Sequence, residues 1–460
     1  MSVTGIVEIL DRAHSGPVCS VKEWDTRLIP TKVSEKLKEH GLMNTCTPDN
    51  PINTDDGLAD KFFRAGYELA LETGMLCIDT ERIIKVTEEE LKELVKTRRK
   101  IPMGEGVDRV VLKPRKPESP KKPVYASPFG IVVSEDLYVP LVTAIAKHRE
   151  IDILEGPSLE TVFGRPIKTG TPYETLAGRY QAQLFREAVW RAGRPGIGAH
   201  GIITSPTEYG QLGGYGIPGG YRITDFALSL AISELKTSYM NLHKVVQSLN
   251  CGGLRASGAW SMIGGSPGPV EGATIVSIAF VLLLYIVHQS TIAGCNPYDI
   301  RYLGNTGRDA QWANSICVQA LSRNTEVIVP GNTNHVAGPC TDMLLYESVV
   351  GMANISASGA SYCVGPRSAG GKYFNYISPL ECKFNAEVFK KSAGLKRSDV
   401  NEIVKKLIPK YEENLKNPPK GKSFTECYNI KTLKPTQEWL DIYLKVKKEA
   451  IDLGIPLDYP

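Results

Sequence analysis

Two histidines stand where an apolar run gives way to a loop. His200 ends Gly196-Ile197-Gly198-Ala199-His200-Gly201, and His335 lies within the glycine-bounded stretch from Gly331 to Cys340. An imidazole in such a place can move a proton near neutral pH or ligate a metal. Cys340 adds a soft sulfur, so two histidines and a cysteine form a candidate zinc set, although their spacing matches no established zinc motif. Arg301 offers a planar fork that suits a carboxylate, or a salt bridge at a strand end. Tyr302 follows it, and Trp260 precedes Gly264-Gly265. With Tyr209, Tyr215 and Tyr221, these are the rings available to enclose a cation or to pack a core.

Several familiar chemistries are absent from the sequence. It has no GxxxxGK[ST] to cradle phosphates, no GxGxxG opening a helix after a strand, no HExxH and no GxSxG. The run Gly210–Gly220 is so rich in glycine that it reads as a flexible active-site loop without helix capacity.

The elements that must hold these residues alternate. Candidate strands are Gly130–Val133, Asp152–Glu155, Gly196–Gly201, Gly252–Ala256, Asp299–Leu303, Glu326–Pro330 and Ser361–Val364. Between them lie helical stretches at Tyr173–Ala192, Asp225–Asn250, Thr274–Gln289, Asp309–Arg323 and Thr341–Ala357. Strand–helix alternation over about 250 residues predicts an α/β fold with a parallel sheet, a TIM (β/α)8 barrel fitting better than an open sheet. The expected organisation is a helical extension with a basic, proline-rich connector over 1–123, the barrel over 124–380 and a helical segment over 381–460. Within the extension, Thr87 and Glu90 form a capping box. The connector Lys113–Pro123 reads as a solvated loop, or as a docking patch for an acidic partner.

Length suits such a barrel with extensions. The net charge of +4 is too small to make nucleic acid the main partner. The 10 cysteines show no CxxC and no dense framework, and are read as reduced thiols of a cytoplasmic protein. The N-terminus lacks a long apolar core and is not read as a signal peptide. Thr274–Val287 is apolar but falls short of the ~20 residues that span a bilayer, so a buried helix is expected and no membrane.

Further segments carry a resemblance. Cys77–Leu91 (CIDTERIIKVTEEEL), Ala192–Gly198 (AGRPGIG), Ser233–Lys236 (SELK), Ala337–Thr341 (AGPCT) and Gly421–Thr432 (GKSFTECYNIKT) resemble, in order and nearly end to end, the monomethylamine:corrinoid methyltransferase family. The resemblance implies a TIM barrel that passes a methyl group from an amine to Co(I) of a separate corrinoid protein. The cobalamin belongs to that partner, and no cofactor is held tightly by this chain. It also implies a homo-oligomer, hexamers being common in the family.

The same resemblance marks departures. The family carries pyrrolysine after the strand that here reads GIGA, and this chain has His200 there. An imidazole lacks the electrophilic imine implied to bind the amine. The family's two glutamates fall near Leu228 and Gly258, and its Gln/Tyr pair near Thr333 and His335. With a whole constellation replaced, monomethylamine does not carry over directly, and the expected donor is a methylated amine, either monomethylamine-like or quaternary. A quaternary ammonium, which leaves as a neutral amine, needs only positioning. His200 and His335 are thus the catalytic candidates, with Trp260, Tyr302, Arg301 and Thr333 as substrate-binding candidates and no assigned metal ligand. If the donor is a protonated amine, His200 is the candidate general acid. A family member that only binds a ligand or corrinoid protein, and a metal enzyme using His200 and His335, are the alternatives.

Overall fold

The computed structural model describes residues 3–201 and 207–459. Eight parallel strands form the central sheet: β1 Val124–Ser127, β2 Ile153–Glu155, β3 Gly198–Gly201, β4 Phe226–Leu230, β5 Leu254–Ile263, β6 Ile292–Asp299, β7 Pro330–Asn332 and β8 Tyr362–Val364. Their order is β6-β5-β4-β3-β2-β1-β8-β7, a ladder that runs round and brings its two ends together. At that seam a Cβ on Gly294 of β6 would lie 2.6 Å from Cγ of Pro330 on β7. Both seam strands carry a proline, Pro297 and Pro330. Proline has no N–H for a ladder, so it is tolerated where strand pairing stops.

A helix follows every strand. They are α1 Glu135–Ala146, α2 Pro172–Arg191, α3 Glu208–Gly214, α4 Tyr239–Asn250, α5 Val270–Val287, α6 Arg308–Asn324, α7 Asp342–Ala357 and α8 Pro379–Lys391. This is the (β/α)8 barrel expected from the alternation. Among the described residues one helix, α5, is long and apolar enough to cross a bilayer, but 94% of it is buried inside the fold. Its outer face is covered by the N-terminal helix Asp56–Thr73, and Gly66 leaves the room that Ile278 fills. A helix apolar all round is what burial on both sides requires.

Four local expectations are corrected. The segment Phe226–Leu230, assigned to a helix, is strand β4, and the helix begins only at Tyr239. The first barrel strand is Val124–Ser127; Val132–Val133 is a short strand paired with Ser158–Leu159 outside the barrel. The strand placed at Asp299–Leu303 is the turn that ends β6. The glycine-rich run is helical over Glu208–Gly214. There the glycines permit backbone contact: a Cβ on Gly178 would lie 2.0 Å from the Gly210 carbonyl, and one on Gly213 1.9 Å from that of Thr175.

The chain before Val124 holds helices and two hairpins. The hairpin Ile101–Met103 with Val110–Leu112 packs Ile101, Met103 and Leu112 against Ile153, Phe226 and Ala256 of the barrel interior. Gly104 touches the start of β3, so this hairpin plugs the end of the lumen at which the strands begin. The connector is fastened to the same end. Arg115 donates to the Ser356 carbonyl, and Lys116 donates to the carbonyl of Thr325 at 3.1 Å. The Thr87–Glu90 capping box is present. None of the 10 cysteines is paired.

Candidate active site

A strand buried on both faces presents alternate side chains to the lumen. From β4 to β8 these inward residues, with His200 of β3 and Phe129 beyond β1, line a small chamber of about 50 Å³. The walls are mostly apolar. Leu228, Gly258, Gly294 and Val364 are small or aliphatic, while Phe129, Trp260 and Tyr362 supply aromatic surface and Asn296 and Asn332 the amides.

His200 is 6% exposed. Its Nδ1 is 2.8 Å from the Tyr362 hydroxyl, and its ring meets Phe226 edge-on. Nε2 has no hydrogen-bond partner among the described residues. It can therefore donate or accept, according to which way the Tyr362 proton points. Burial lowers the imidazole pKa to about 4. His200 is neutral at physiological pH.

Behind it lies a carboxyl that the sequence reading did not select. Glu155, at the end of β2, is 1% exposed and accepts from the Gly130 N–H at 2.7 Å. Its Oε2 is 3.8 Å from His200 Nδ1 and bonds to nothing among the described residues. Burial pushes this carboxyl well above the usual range. A neutral acid beside a neutral imidazole is the arrangement these opposite shifts favour, not an ion pair. The criterion that singled out His200, a polar residue closing a barrel strand, applies equally to Glu155, whereas Tyr362 opens its strand.

The other candidates are dispersed. Trp260 lines the cavity and leans on Tyr298, ring centroids 5.9 Å apart. Thr333 points the other way, into the groove that Gly351 of α7 and Gly365 leave open. His335 is fully buried behind the wall, with Nε2 3.1 Å from the Ser348 hydroxyl, to which Asn385 of α8 also donates. Its pKa falls to about 3 by burial. Arg301 is half exposed and bound to Asp299 and Asp309. With Tyr302 it borders a separate surface hollow. Tyr215 and Tyr221 are core residues, and Tyr209 lies on an outer groove. Among the described residues, the one group placed to hold a metal is Glu39, His40 and Glu68, and Lys36 already pairs with both of its glutamates.

A (β/α)8 barrel with a partly aromatic chamber among its strands is an enzyme architecture, and the comparisons define which. The family model for monomethylamine methyltransferase MtmB matches residues 4–455. Monomethylamine methyltransferase MtmB1 of Methanosarcina acetivorans is 30% identical over 97% of each chain, and MtmB3 of Methanosarcina barkeri is 31% identical over the same share. The crystal structure of the Methanosarcina barkeri monomethylamine methyltransferase superposes with a TM-score of 0.94 over 98% of each chain at 30% identity, as does that of its hydroxylamine complex. The chain belongs to the monomethylamine methyltransferase MtmB family, and it is a methyltransferase.

Proposed function

We propose that this enzyme takes a methyl group from a methylated ammonium compound, quaternary at nitrogen, and passes it to the cobalt of a corrinoid protein. The observation that carries this reading is the chamber itself. Leu228 and Gly258 stand where the resemblance implies glutamates, and Glu155, the buried acid beside His200, is held toward its neutral form. Among the described residues His200 is a poor acid for a leaving amine, because it loses its proton near pH 4. A donor that already carries its charge needs none.

In the transfer the C–N bond breaks with its electron pair staying on nitrogen, and the reduced cobalt of the partner, the methyl acceptor, supplies the pair for the new Co–C bond. A neutral tertiary amine leaves. The protein's task is to hold the methyl in line and exclude water. Phe129, Trp260 and Tyr362 present π-faces to the cation, a contact worth ~0.5–2 kcal/mol per ring when desolvated. His200 Nε2 fixes one side of the bound donor. The corrinoid protein and the small donor are the partners in this reading, and a homo-oligomer the assembled form.

The deciding assay mixes the enzyme with reduced cobalamin, or with a corrinoid protein, and a donor series of monomethylamine, trimethylamine, tetramethylammonium, choline and trimethylammonioacetate. Formation of the methylated cobalt spectrum with quaternary donors is expected. Transfer from monomethylamine alone would overturn the choice of donor.

A further inference from the structure

Buried cations in this chain are answered by anions or carbonyls. Arg194 meets Asp108, Arg186 and Arg222 meet Asp225, and Arg115 meets carbonyls. Arg367 is different. It follows the end of β8, on the loop that leaves the barrel at the C-terminal ends of the strands. Its Nε is buried without a partner, and no hydrogen bond or ion pair engages the guanidinium among the described residues.

The surroundings are built around this group. Gly130 and Gly371 flank it, both with positive φ (57° and 70°). A Cβ on Gly130 would come within 3.2 Å of Nε, and one on Gly371 within 2.7 Å of Nε and 3.1 Å of Nη2. Two glycines thus leave a slot that any side chain would fill. On its third side the guanidinium carbon sits 5.9 Å from the centre of the Phe129 ring, which also walls the chamber. Its charge is felt on opposite sides of the barrel, favouring the ionised forms of Glu155 on β2 and of Tyr298 on β6. Arg367 does not itself line the chamber, and Phe129 is the residue shared between its guanidinium and that space. The carboxyl of Glu155 is turned to the Gly130 N–H and makes no ion pair with the arginine. A partly buried guanidinium with no anion is costly unless a ligand brings one. Its planar fork can hold a carboxylate through two parallel hydrogen bonds.

We propose that Arg367 binds a carboxylate carried by the methyl donor itself, so that the substrate is a zwitterion with its methylated ammonium against the aromatic wall and its carboxylate at the mouth. This rests on the reading of the chamber as a site for a quaternary donor, and it narrows that class. Because Phe129 faces both charges, a short spacer between them is required. Arg301, the other arginine with a claim to this role, is occupied by Asp299 and Asp309.

The test is binding calorimetry on the whole protein, with trimethylammonioacetate and choline as probes, followed by the methyl-transfer assay with both. Trimethylammonioacetate is expected to bind about 10- to 100-fold tighter than choline, the range of a hydrogen bond to a charged group. In Arg367→Gln that ratio should collapse toward one, and in Arg367→Lys it should recover in part. Thermal melting of each variant separates loss of the ligand from loss of the fold. Equal binding of the two probes by the wild type, or a ratio unchanged in Arg367→Gln, overturns the proposal, and transfer from choline would then leave the methyltransfer reading standing. Arg367-dependent preference without transfer from any donor supports the carboxylate site and sinks the quaternary-donor reading.

Discussion

His200 and Tyr362 meet across the barrel: Nδ1 on β3 and the hydroxyl on β8 are 2.8 Å apart, although β2 and β1 stand between their strands in the ladder. The contact fixes the imidazole plane and leaves Nε2 as its free edge. Replacing His200 by Ala removes that edge and strands the Tyr362 hydroxyl. We expect kcat/KM for methyl transfer to fall by about 10²-fold, with Tyr362→Phe costing less because the ring stays in place. An unchanged rate in His200→Ala removes the residue from the site.

Because burial lowers the His200 pKa to about 4, the imidazole should not titrate near 6.5. The sign follows from linkage. A histidine whose folded pKa is depressed contributes stability above its unfolded value of ~6.5 and loses it as pH falls toward the folded one. The melting-temperature difference between wild type and His200→Gln is therefore expected to shrink as pH drops from about 6.5 to about 4. Transfer should be flat between pH 6 and 8. A wild-type inflection near 6.5 that vanishes in His200→Gln contradicts the neutral imidazole.

Glu155 shifts the other way, burial holding it protonated. A cation entering the chamber favours its ionised form. Binding of a quaternary donor near pH 6 should release a proton, seen as a calorimetric enthalpy that depends on buffer ionisation heat. Glu155→Gln should abolish the dependence. Buffer-independent heats in the wild type would mean the carboxyl does not sense the ligand.

The α2–α3 contact gives a prediction about stability alone. Gly178→Ala places a methyl 2.0 Å from the Gly210 carbonyl, a backbone atom that cannot rotate away. Overpacking of this kind costs ~1–3 kcal/mol, measurable by denaturant unfolding, despite the better helix propensity of alanine. A stabilised variant would show that the two helices are free to separate.

These residues also mark what was legible in the sequence. Alternation of apolar runs and helices was enough to expect the barrel, and His200 stood out as a polar residue ending a strand. Strand β4 was hidden because Phe226–Leu230 runs directly into a further apolar stretch, which periodicity alone cannot divide. Strand β6 was hidden by Pro297, whose presence in a strand is tolerated only beside the seam. The glycine-rich run misled for a physical reason: low helix propensity was overridden by close packing against α2. Arg367 carries no motif. Its isolation is a matter of which neighbours fail to reach it, and only coordinates can tell that.

The floor hairpin Ile101–Leu112 has a kinetic consequence. It stops the lumen at the end where the strands begin, which among the described residues leaves the opposite end as the approach for two reactants of very different size. A small donor must already be seated when a protein-borne cobalt settles over the rim, and the spent amine must wait behind it until that visitor departs. Turnover in such a vessel is compulsory in its order, and excess acceptor should inhibit by arriving first.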